Sequence, residues 1–95
     1  MGILDFFMGI QDPIEASYRI TRASKAPANS SVGLCDMVGD LTAPGVFATG
    51  VEHTWPFVSV TKWPRVGDIL PVLVDRDDPE YFLRVQWKQV PERDE

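Results

Sequence analysis

From Ile14 onward, apolar and polar residues alternate with a period of two. Ile14, Ala16, Tyr18 and Ile20 fall on one face, and Glu15, Ser17, Arg19 and Thr21 on the other. That alternation predicts a strand with one buried face. Residues 24–31 (SKAPANSS) are polar and predict an exposed loop. A second strand is predicted over residues 32–41. Its apolar set shifts phase from Val32 and Leu34 to Cys35, Met37 and Leu41, which signals a bulge or cover on both faces. After the turn Ala43-Pro44-Gly45, a third strand is predicted over residues 46–53, with Phe47, Thr49, Val51 and His53 on one side.

The next stretch, HTWPFVSVTKWP over residues 53–64, holds two Trp-Pro pairs. It is either a ligand platform or the two ends of one structural strand. Strict alternation over residues 57–63 would put Phe57, Ser59 and Thr61 on the face of Trp55 and Trp63, with Val58 and Val60 opposite. Proline lacks the N–H a central ladder needs, so each Trp-Pro is expected to end a strand and seal an open end of the core. Trp63, beside Lys62 and Arg65, is expected to be the exposed aromatic of the pair. Pro64-Arg65-Val66-Gly67-Asp68 predicts a turn, residues 69–75 a largely apolar strand, and residues 81–88 the most regular alternation in the chain. Five or six short strands at this spacing predict an all-β fold, a small antiparallel barrel or sandwich of OB-like, partly open form.

Before the strands, Ile3, Leu4, Phe7, Met8 and Ile10 recur at helical spacing up to Asp12-Pro13. A short apolar helix over residues 1–12 is expected, then one β-domain over residues 13–90 and a charged tail, residues 91–95. So short a helix needs something to pack against. It is either a lid on the core or a docking element whose contacts would come from Ile3, Leu4, Phe6, Phe7 and Ile10.

Composition narrows the function classes. Ninety-five residues, 44% hydrophobic and 11% aromatic, suit one domain with a modest core. The net charge of −5 repels phosphate backbones and anionic lipid at long range, so nucleic-acid and membrane surfaces are disfavoured. The N-terminal stretch lacks a cationic leader region and is too short to span a bilayer. The single cysteine, Cys35, cannot form an intramolecular disulfide, and a cytoplasmic location is expected.

Chemical motifs are sparse. His53 is the only histidine, and no nucleophile elbow or oxyanion-type glycine cluster accompanies it. Cys35 and His53 lack the paired spacing of a zinc site. The run Asp75-Arg76-Asp77-Asp78-Pro79-Glu80 fails the calcium-loop register, with Glu80 where glycine is needed and Gln86 where the bidentate glutamate belongs. It predicts a hairpin loop whose Asp side chains bond backbone N–H groups. Gly67-Asp68 predicts a turn with positive φ at the glycine and the aspartate bonding back across it. No catalytic residue, metal ligand, cofactor or small-molecule substrate is inferred.

The C-terminal half carries Lys62-Trp63-Pro64-Arg65-Val66-Gly67-Asp68-Ile69-Leu70-Pro71-Val72-Leu73-Val74-Asp75-Arg76-Asp77-Asp78-Pro79 and a closing Trp87. Upstream stand Ala43-Pro44-Gly45-Val46 and Val51-Glu52-His53. These residues resemble a pattern in small uncharacterised actinobacterial proteins, roughly kWPrpGxxLPVxVDraDP followed by W. The resemblance implies a small cytoplasmic β-rich protein and brings no activity to any residue. The leading expectation is a non-enzymatic interaction module that binds a protein partner or itself through the N-terminal segment together with Trp63 and Arg65. The alternative is an OB-like barrel binding single-stranded nucleic acid or another oligomeric ligand.

Overall fold

The computed structural model describes residues 13–78 and 82–92. The helix expected over residues 1–12 lies outside them. The described residues form five antiparallel strands: β1 (Pro13–Ala23), β2 (Val32–Ala43), β3 (Val46–Ser59), β4 (Ile69–Asp75) and β5 (Phe82–Val85). The sheet order is β3-β2-β1-β4-β5. The sheet curls into a half-barrel with β3 and β5 at its two edges. The fold is therefore all-β and antiparallel as expected, and its half-barrel form is consistent with the small, partly open barrel expected and not with a sandwich.

The period-two pattern of β1 places Ala16, Tyr18 and Ile20 in the core, as predicted. Leu70, Val72 and Val74 of β4 do the same. Although β4 looked apolar throughout, it alternates, and Ile69 is 63% exposed. Pro71 is tolerated in this inner strand because its carbonyl faces the end of β5, where it accepts from the Gln86 N–H at 2.8 Å. The N–H it lacks would point to the same side, where the β5 ladder has already ended.

On β2, Cys35, Met37, Gly39 and Leu41 all point into the core. β2 itself keeps its parity, with Val32 and Leu34 simply on the outer face, so the apparent phase shift is no bulge in this strand. The register with β3 does shift, between Gly33 and Cys35 and between Gly39 and Leu41. In both places the extra residue belongs to the partner strand β3. Gly50, at φ +64°, accommodates the bulge between Gly39 and Leu41. Ala48 is half-buried before it, and Val51 is buried after it. Pro56 and Phe57 stand opposite the single residue Leu34 at the bulge between Gly33 and Cys35.

Three sequence expectations are corrected along this stretch. β3 does not stop at His53 but continues through Pro56 to Ser59, because an edge strand with a bulge can accept a proline. Phe47 does not share the face of Val51: it is 67% exposed, and Val51 only 4%. No strand spans residues 57–63. The chain turns into a 3₁₀ turn, Val60–Lys62, where i and i+3 align in place of alternation. At the C-terminal end β5 stops at Val85 and a second 3₁₀ turn, Trp87–Gln89, follows. The regular alternation over residues 81–88 is overridden there because this turn carries Trp87 against the core and leads into the buried Val90.

Candidate functional site

Two residues of the expected contact set, Trp63 and Arg65, lie among the described residues, in the connection between β3 and β4. The structure places them in different settings. Trp63 is only 6% exposed and belongs to the core, which overturns its expected role as an exposed aromatic. Its indole Nε1–H donates to the Ser24 carbonyl at 2.7 Å. Its ring also approaches Gly33, where an added Cβ would lie 3.6 Å from the ring. The 3₁₀ turn is the cause: it rotates Trp63 inward, whereas a continued strand would have set its orientation by parity. The Val60 N–H donates to the Ser31 carbonyl at 2.9 Å and holds the same turn against the β1–β2 loop. That loop is exposed, as expected, but it is pinned at Ser24 and Ser31.

Arg65 remains exposed. The turn it opens has the predicted chemistry. Gly67 has φ +97°, and the Asp68 carboxylate accepts from the Arg65 backbone N–H at 2.9 Å. The turn is fixed to β1 because the Gly67 N–H donates to the Ile20 carbonyl at 2.8 Å.

Between the β1–β2 loop and this connection lies an open groove of about 730 Å³. Ala23, Ala26, Val60, Trp63, Pro64 and Val66 supply its apolar lining, and Lys25 and Arg65 its positive charge. Its volume lies within the roughly 300–1,000 Å³ of ordinary ligand clefts. Sequence reading missed Lys25 and Val66, because nothing in a local pattern shows that a polar loop will lie alongside a distant turn.

A second feature bridges the two edges of the half-barrel. Trp55 of β3 meets Trp87 edge-on, with ring centroids 6.1 Å apart, and His53 lies 5.6 Å from Trp55. Lys62 Nζ donates to the Trp87 carbonyl at 2.8 Å. A cleft of about 400 Å³ opens here, lined by Trp55 and Trp87 with Arg84 and Lys88. The Trp87 Nε1–H is buried and has no hydrogen-bond partner among the described residues.

The third feature is a surface. On the outer side of the β2–β3 ribbon, Val32, Leu34 and Phe57 are 45%, 56% and 77% exposed. The bulge at Pro56 sets Leu34 and Phe57 opposite one another. The sequence hinted at this only through the phase shift at Val32 and Leu34.

Titratable groups are tuned by burial. The Cys35 thiol is pushed up by desolvation, so it stays protonated and inert. Burial lowers the His53 pKa and keeps the imidazole neutral near pH 7. Among the described residues, no group of three or more His, Cys, Asp and Glu side chains is placed to hold a metal ion. The acidic run at Asp75 forms a turn as expected: Asp75 Oδ1 accepts from the Asp77 N–H at 2.9 Å, and its carbonyl from the Asp78 N–H at 3.2 Å. Among the described residues, no helix is long and apolar enough to cross a membrane.

No protein-family model, curated protein or solved structure matches the chain.

Proposed function

We propose that the protein is a non-enzymatic interaction or assembly module that works in the cytoplasm and binds a protein partner or a second copy of itself. The observation that carries this reading is the apolar outer face formed by Val32, Leu34 and Phe57 next to the β3 sheet edge. Scattered apolar side chains are normal on a surface, whereas grouped ones mark contact sites. Here three of them share one face of two neighbouring strands. The apolar residues Ile3, Leu4, Phe6, Phe7 and Ile10 would add contact area from the N-terminal segment, and Arg65 would add charge at the rim of the groove. Trp63 contributes as the floor of that groove.

The test is affinity capture from the native host with the wild type and with Leu34→Ser/Phe57→Ser. Both substitutions are at exposed positions, so thermal melting should stay close to wild type. A protein captured in stoichiometric amount by the wild type and lost with the variant supports the reading. Equal recovery by both rules this face out as the contact surface.

A second reading has one observation in its favour. The cleft lined by Trp55, Trp87, Arg84 and Lys88 combines aromatic faces with cations, as single-strand binding requires. The curled sheet, with β1 between β2 and β4, suits an OB-like, partly open barrel. That reading expects oligonucleotide binding that weakens steeply as salt is raised. Absence of a mobility shift at low salt eliminates it.

A further inference from the structure

The groove beside Trp63 and the N-terminal segment have complementary chemistry. The groove has an apolar lining with Lys25 and Arg65 beside it. Residues 1–12 are mostly apolar and carry Asp5 and Asp12, and no Lys or Arg occurs before Arg19. Covalent reach decides whether the two can meet within one molecule. Pro13, where that segment joins the sheet, pairs with Asp75 at one end of β1. The groove begins at Ala23, the opposite end of the same strand. At about 3.3 Å per residue, the two ends of β1 lie roughly 30 Å apart. Ile10 is tethered three residues from Pro13 and so stays within about 11 Å of it at full extension. The apolar run from Ile3 to Ile10 therefore cannot enter its own groove as a unit. A second molecule carries no such restriction.

Resting on the interaction-module reading, we infer that the groove of one copy takes the N-terminal segment of a second copy, with apolar side chains over Val60, Trp63 and Val66 and the acidic residues toward Lys25 and Arg65. Because the contact pairs two different surfaces, it is heterologous and leads either to closed rings or to open chains. The groove suits this occupant better than the Leu34–Phe57 face does, because it is concave and positively charged in a chain of net charge −5.

The test is a charge exchange in the full-length chain, read by sedimentation velocity across a concentration series at low salt. Wild type should self-associate. Lys25→Glu/Arg65→Glu should weaken association about tenfold, and Asp5→Lys/Asp12→Lys should do the same, each by setting like charges face to face. Combining all four substitutions should restore association to near wild type. Val66→Ser, at a position 71% exposed, weakens the same contact without adding or removing a charge and covers the case in which a charge variant misfolds. A wild type that stays monomeric overturns the inference, as does a four-fold variant that fails to recover. Neither result removes the interaction-module reading, which stands or falls on capture of a different partner through Leu34 and Phe57.

Discussion

Tyr18→Phe removes one oxygen atom from the centre of the sheet, and the structure gives its cost. Tyr18 is fully buried on β1, and its hydroxyl donates to the Val51 carbonyl of β3 at 2.6 Å. Strand β2 lies between them, and the ring passes close to Gly39, so the bond ties the edge strand to the middle of the sheet. The phenyl ring fills nearly the same volume, so the loss is that of a hydrogen bond with its acceptor left inside. That costs about 1–3 kcal/mol, which lowers Tm on the order of 5–15 °C in a domain of this size. A second signature comes from titration. Burial, with Cys35, Asp40 and Glu52 nearby, pushes the Tyr18 pKa far above its ordinary value. The unfolded tyrosine loses its proton near pH 10 while the folded one keeps it. The stability this group contributes is therefore complete below about pH 10 and is lost as pH rises beyond it. Between pH 9 and pH 11 the wild type should lose about 1.4 kcal/mol that Tyr18→Phe does not lose. Urea unfolding followed by tryptophan fluorescence at pH 7, 9 and 11 measures both effects. Equal midpoints at pH 7, or parallel decline of both proteins at alkaline pH, would show that the hydroxyl is not engaged as described.

Three further outcomes are expected. Gly39→Ala should destabilise by about 1–3 kcal/mol, since its Cβ would press on the Arg19 carbonyl and lie 2.9 Å from Tyr18 Cε1. Gly45→Ala meets nothing within 4 Å and is strained only by φ +73°, so it should cost about 1 kcal/mol; chemical denaturation giving the reverse order would contradict the packing. For His53, burial lowers the folded pKa below the unfolded value near 6.5, so its contribution is present above that pH and lost as pH falls. The stability of His53→Gln should accordingly decline less than that of wild type between pH 7 and pH 5, and identical slopes would refute the assignment. Trp63→Phe breaks the bond to the Ser24 carbonyl, so amide exchange across residues 24–31 should accelerate at least several-fold with the strands β1 and β4 still protected. Unchanged exchange in that loop would mean that the indole does not anchor it.

How far the sequence could be read depended on the range of the interaction involved. Side-chain parity along a strand is local, so the buried face of β1 follows directly from where Ala16, Tyr18 and Ile20 stand in the chain, whereas the run of apolar residues in β4 hid which of its faces is buried. Turn chemistry is local too. The Pro44-Gly45 hairpin, the Gly67-Asp68 turn and the Asp75 turn all form from the residues that announce them. Parity fails wherever an extra residue is absorbed, and a bulge depends on the partner strand as well as on its own sequence. For that reason the faces of Phe47 and Phe57 could not be read along β3 alone: Gly50 and Pro56 reset the phase only when β2 is laid beside them.

The sequence by itself determined an antiparallel all-β chain, the inner faces of its regular strands and the places where it turns, because all of these depend on neighbours within a few residues. Only the tertiary structure decided the strand order and that Trp63 is a core residue bonded to Ser24 while Phe57 faces outward. It also decided that Lys25 and Arg65, forty residues apart in number, border one groove. The physical reason is shared: each of these depends on which distant segment fills the space beside a residue, and no periodicity along one strand carries that information.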